Sequence, residues 1–169
     1  MPRPSAYARV LLHVQDPPSR PRDASRPQRR PLLLASAPVN GQPINPDTLA
    51  APRGYSNGMI FPAGGRVLFV AGQVGWDREM RMSEGLTAQF DLALRNVLDV
   101  VRAAGGSPES IGRFTIYVVD KDDYSAKVKE IGRVYRATMG KHFPAMALVQ
   151  VAALLEPGAL VEIEATAVI

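Results

Sequence analysis

The chain has 169 residues, 46% of them apolar, which is the size of one ordinary domain with enough hydrophobic material for a core. It has no cysteine and only two histidines, His13 and His142, which excludes thiolate chemistry and disulfides and leaves no ligand cluster of the usual zinc type. The net charge of +4 belongs to the N-terminus: residues 1–31 hold seven arginines against Asp16 and Asp23, while residues 32–169 carry 13 basic and 14 acidic side chains and give nucleic acid no electrostatic footprint.

That first segment also holds seven of the fifteen prolines and shows no hydrophobic periodicity, so it cannot bury enough surface to offset its ordering entropy. We expect an Arg/Pro-rich, disordered extension over residues 1–45 and one folded domain over residues 46–169. An arginine-rich, acid-poor leader fits an organelle transit peptide in composition, but the prolines spoil the amphipathic helix such a peptide needs. The plainer reading is an extension without a function of its own. Nothing resembles a signal peptide, and no apolar run approaches the roughly 18 residues that cross a bilayer, so a cytoplasmic protein without a membrane partner is expected.

In chain order, Met59 to Phe61 predicts a short strand that would pair with the next strand across Ala63-Gly64-Gly65. From Arg66 the run RVLFVAGQV is rich in β-formers and ends at Gly72, a buried strand. Leu86, Phe90, Ala93, Leu94, Val97, Leu98 and Val101 then recur at helical spacing, with Ser83 as the expected N-cap and Gly105-Gly106 as the stop. Arg113 to Val119 reads as a strand, and Asp120 to Asp123 supplies a turn and a helix cap. A second amphipathic helix carries Tyr124, Val128, Ile131, Tyr135 and Met139 on one stripe and stops at Gly140. Ala145 to Leu154 and Leu160 to Val168 read as two strands joined around Pro157-Gly158.

The order is therefore β-β-α-β-α-β-β. Two apolar helix stripes need a partner, so both helices should cover one face of a single mixed sheet, an α+β sandwich. In LVEIEATAV, Val161, Ile163, Ala165 and Ala167 point one way while Glu162, Glu164 and Thr166 point the other. Two carboxylates then share the face that the helices leave uncovered, and we place Leu148 and Gln150 on that face with them.

VAGQV after the first long strand, AAGGSPESI after the helix, the Thr115-Ile116-Tyr117 strand, HFPA before the penultimate strand and VEIEATAV at the end together resemble the Rid (reactive intermediate deaminase, YjgF-type) family. The likeness runs from about Pro52 to Val168. It implies a chorismate-mutase-like fold and a homotrimer whose sheets pack into a central barrel, with small-molecule pockets in the clefts between subunits. It implies hydrolysis of enamines and imines to keto acids and ammonia, with neither metal nor cofactor. By position it matches Tyr55 of GYSNG to a pocket tyrosine, Gly72 to a glycine whose backbone borders the pocket, and Glu162 to the carboxylate that handles the water or the imine proton.

The sequence departs from that pattern at three places. Met146 stands where the family's substrate-binding arginine follows the Pro-Ala pair, and a thioether cannot pair with an anion. Ala71 replaces the small hydroxyl residue before the glycine, and Leu148 replaces a polar residue two after the arginine. Arg53 and His142 are the cations nearest in sequence to the matched positions. On pattern alone, alternating glutamates on a terminal strand are most often a solvated face, Tyr55 is as readily a loop aromatic, and Arg95 and Arg102 look like a solvated helix face. At a subunit boundary, however, Glu162 would lie beside apolar residues and its charged form would be disfavoured. Two functions follow: an imine or enamine hydrolase whose substrate lacks the usual carboxylate contact, or a non-catalytic trimer binding a metabolite or a partner protein in the retained clefts. RNA cleavage, a third class, finds no pair of histidines and no basic patch in the core.

Overall fold

A computed structural model describes residues 39–169. The expected extension therefore lies almost wholly outside the described residues. The main sheet has four strands in the order β3-β6-β4-β5: β3 (Val67–Val74), β4 (Ile111–Val118), β5 (Ala145–Gln150) and β6 (Val161–Val168). β6 is antiparallel to both β3 and β4, and β5 runs parallel to β4, so the sheet is mixed as expected. A parallel neighbour cannot be reached by a tight turn. The connection from β4 to β5 is accordingly the helical segment α2 (Lys121–Ala126) and α3 (Val128–Met139).

The first helix, α1 (Leu86–Ala103), buries the whole predicted stripe, Leu86, Phe90, Ala93, Leu94, Val97, Leu98 and Val101. These side chains meet Phe114, Ile116, Ile163, Ala165 and Ala167 from one sheet face in a single core cluster that also takes Ile131, Tyr135 and Met139 from α3. The alternation read in β6 holds through the strand: Val161, Ile163, Ala165 and Ala167 are buried and Glu162, Glu164 and Thr166 are half-buried on the opposite face.

Several details differ from expectation. The strand Gly58–Ile60 (β2) does not pair with β3 but with β1 (Gln42–Ile44), in a separate two-stranded antiparallel sheet. The chain leaving β2 crosses β4 instead of turning back, because Gly112 has no side chain and the Phe61 ring fills the space a Cβ would take. β1 also lies on the N-terminal side of the residue-46 boundary. The N-cap of α1 is Gly85 rather than Ser83. The predicted second helix is two: Asp120 caps α2 by accepting hydrogen bonds from the Asp122 and Asp123 backbone N–H groups, and the axis breaks at Lys127. Val128, just after the break, is 51% exposed and leaves the predicted stripe. Finally, β5 stops at Gln150, and Met146, Leu148 and Gln150 are in register with Phe114, Ile116 and Val118, which face the helices. Leu148 and Gln150 therefore sit on the covered face, not on the face of Glu162.

What does lie on the uncovered face is apolar at its edges. Val67 and Phe69 pair with Val168 and Thr166, and Val149 pairs with Tyr117, and all three of these apolar side chains are exposed, Phe69 to 79%.

Candidate functional site

β3 and β6 run in regular register up to Val70 opposite Ala165, and resume at Gln73 opposite Ile163. Three steps on β3 thus match two on β6, a bulge at Ala71-Gly72. Its consequence is a change of face: Val70 pairs with Ala165 on the helix side, yet Val74, four residues on, pairs with Glu162 on the other side. Gly72 comes under the Glu162 side chain, and a Cβ added there would run into the carboxylate oxygen. The backbone and the carboxyl group meet only because position 72 carries no side chain.

Glu162 is half-buried. Burial, joined by the neighbouring Glu164 and Glu156 carboxylates, pushes its carboxyl up from the ordinary range. The group therefore keeps a proton at pH values where a free glutamate has lost it. Glu164, on the same face, accepts a hydrogen bond from the Tyr117 hydroxyl at 3.3 Å.

The other matched residues assemble elsewhere. Ser56 is buried, its hydroxyl donates to the Phe143 carbonyl at 2.6 Å, and its backbone N–H donates to the Pro144 carbonyl at 3.1 Å. These bonds fasten the loop between β1 and β2 to the start of β5 and put Tyr55, itself 39% exposed, beside Met146. Tyr55, Met146 and Leu148 line one cavity of about 610 Å³ between the edge of the sheet and helices α2 and α3. Arg53 lines it too. His142 does not: its Nε2 lies 2.7 Å from the Ile111 carbonyl, and it borders a second cavity of about 360 Å³ with Tyr55 and Ser56.

Within one chain the six predicted residues thus form two groups, Ala71, Gly72 and Glu162 on the uncovered sheet face, and Tyr55, Met146 and Leu148 on the helix side. Ser56 escaped the sequence reading because a turn-like GYSNG gives no sign that its serine anchors the loop to a strand almost ninety residues away. Among the described residues no three His, Cys, Asp or Glu side chains are placed to hold a metal, and no helix is long and apolar enough to cross a membrane.

The four-stranded mixed sheet with helices on one face defines an α+β protein. A family model described as "Endoribonuclease L-PSP" matches residues 46–169, and the chain belongs to that family, the Rid/YjgF family. Human 2-iminobutanoate/2-iminopropanoate deaminase is 30% identical over 105 residues, which is 61% of this chain and 73% of the relative. Protein DfrA of Myxococcus xanthus is 36% identical over 117 residues, 68% of this chain and 84% of that one. Among solved structures, the Rid-family protein YyfB from Yersinia pestis superposes with a TM-score of 0.68 at 33% identity, covering 77% of this chain and 99% of its own. The YjgF gene product of E. coli gives 0.53 at 29% identity, covering 75% and 98%. The fold is the chorismate-mutase-like fold of these proteins.

Proposed function

We propose that the protein is a Rid-type hydrolase of imines or enamines that works in clefts between the copies of a homotrimer, on a substrate that makes no arginine contact at position 146. The observation that carries this reading is the Glu162 carboxyl seated over the bare backbone of Gly72, where burial pushes its pKa up from the ordinary carboxylate range. Hydrolysis adds water to the C=N carbon and then expels ammonia, leaving the carbonyl. A single carboxylate serves both steps: it takes an oxygen-bound proton, first from the attacking water and then from the carbinolamine hydroxyl, and each time passes it to the nitrogen, so that two protons in all leave a carbonyl and ammonia. The family membership and the deaminase names of several relatives support the reaction class.

The trimer is supported by the exposed apolar residues Val67, Phe69 and Val149 on the uncovered face, which ask for a covering surface. The cleft is supported by the division of the site. Glu162 and Met146 lie on opposite faces of one sheet, so a pocket containing both takes them from two chains.

The test is hydrolysis of imines generated in situ by an amino-acid oxidase, with the wild type, Glu162→Gln and Met146→Arg. We expect Glu162→Gln to lose on the order of 100-fold or more, the ordinary contribution of a positioned acid–base group. Met146→Arg should improve turnover of small imino acids by roughly ten- to a hundredfold, through a charge-assisted bond to their carboxylate. Equal rates for Glu162→Gln and the wild type would sink the assignment.

The apolar character of Ala71, Met146 and Leu148 favours a second reading, a non-catalytic trimer that binds a metabolite or a partner protein. Inactivity of both the wild type and Met146→Arg would select it. RNA cleavage draws no support, since His142 is the only histidine among the described residues and its Nε2 faces a backbone carbonyl.

A further inference from the structure

The cavity beside Met146 has two features that the loss of an arginine at that position does not explain. Its walls hold five of the chain's eleven aromatic side chains, Tyr55, Phe90, Tyr124, Tyr135 and Phe143. Phe90 and Tyr124 have ring centroids 6.3 Å apart, and Tyr135 stacks on Phe143 at 5.5 Å. At about 610 Å³ it is in the range of roughly 300–1,000 Å³ that encloses drug-sized ligands, larger than 2-iminobutanoate requires.

The second feature is charge at the rim. Arg53 and Arg136 both line the cavity, both are exposed, and neither has an ion-pair partner among the described residues, so both guanidinium groups can take an anion there. Arg136 is laid back along its own helix. Its guanidinium nitrogens come to 3.5 and 3.9 Å from the place a Cβ would occupy on Gly132, another residue of the wall. A glycine in a helix interior is a costly choice, and here it leaves the helix surface low beneath the guanidinium.

We propose that the cavity takes an arylalkyl carboxylate, its ring among the aromatic side chains and its carboxylate held at the rim by Arg136 with Arg53. The anion clamp missing at position 146 is then relocated from the strand to helix α3 and to the loop before Tyr55. Met146 and Leu148 become part of an apolar floor instead of a polar clamp. Offset and edge-to-face contacts favour an aromatic body over a short aliphatic one, and a planar guanidinium suits a carboxylate. The proposal rests on the Rid reading for its substrate class, an imine of an aromatic amino acid.

Binding is tested without turnover, so its failure and failure of the catalytic assignment are separable. Calorimetric titration of the full chain would compare 3-phenylpropanoate, its uncharged amide, and butanoate, each with the wild type, Arg136→Gln, Arg53→Gln and Leu148→Trp. We expect the aryl acid to bind roughly tenfold or more tighter than both the amide and butanoate. Arg136→Gln should remove that advantage over the amide and leave amide binding unchanged. Leu148→Trp, which fills the floor, should abolish binding of both aryl ligands. The proposal is overturned if acid and amide bind alike, if butanoate binds as tightly as the aryl acid, or if neither arginine variant lowers affinity for the acid. Imine hydrolysis that disappears in Glu162→Gln while 3-phenylpropanoate binding collapses in Arg136→Gln upholds both assignments; binding that ignores the arginines while hydrolysis persists overturns this one alone.

Discussion

Glu162 illustrates how one side chain's place follows from its neighbours. The alternation VEIEATAV fixes which face it takes, and the missing Cβ of Gly72 gives its carboxyl room. Its pKa is raised in the native chain, by burial first and then by Glu164 and Glu156, whereas an unfolded glutamate titrates normally. The folded state then binds the proton more tightly, and stability falls as pH rises through the window from the ordinary value to the raised one. Glu162→Gln should therefore raise the melting temperature at pH 7 and leave it unchanged near pH 3, where both states are protonated; calorimetry at the two pH values checks it. Gly72→Ala should cost about 1–3 kcal/mol by overpacking against the carboxylate, read by urea denaturation. The face of Glu162 was legible in the sequence because a period of two needs only the strand itself. The bulge that brings Gly72 to it was not, since an extra residue in one strand shows only in the register with its partner.

Elements with long stripes were equally legible. α1 buries every residue its periodicity named, and Asp120 caps the next helix as its position suggests. Pairing between distant strands was less so: β2 joins β1 rather than β3, and the Phe61 ring after it packs against both Gly41 and Gly112, the latter about fifty residues away. The side of β5 was misread for a related reason. A uniformly apolar run such as AMALVQV carries no period, so only its parallel register with β4 decides that Met146 and Leu148 face the helices. Two element-scale expectations follow. Gly132→Ala should stabilise α3 by about 0.5–1 kcal/mol, since the new methyl meets Arg136 only at ordinary contact distance, and thermal melting reads it. Ser56→Ala should cost about 1 kcal/mol and free the Tyr55 loop, visible as faster amide exchange at Ser56 while β3 and β6 keep their protection.

At the scale of the whole molecule, the sheet itself separates the residues that the sequence grouped. Glu162 and Gly72 look away from the helices, Met146, Leu148 and Tyr55 line the cavity on the helix side, and the single layer of the sheet lies between the two sets. A chain that hydrolyses its substrate with both sets must borrow one of them from a neighbour. On the proposed function, that demand and the exposed Phe69 face would have the same solution, a symmetric assembly in which each cleft takes its acid from one copy and its cavity from the next. The consequence is subunit complementation. Glu162→Gln and Leu148→Trp are each expected to be inactive as pure proteins, one lacking the acid and the other the floor of the cavity. Unfolded together and refolded in equal amounts, they should regain activity at about a quarter of the sites, those where a Leu148→Trp copy supplies Glu162 to a Glu162→Gln copy. Refolding each alone should restore nothing, and adding Phe69→Asp to both should abolish the recovery along with the assembly, followed by light scattering. Inactivity of the mixture at full trimer content would place acid and cavity in a single chain's service, and the cleft would have to be abandoned.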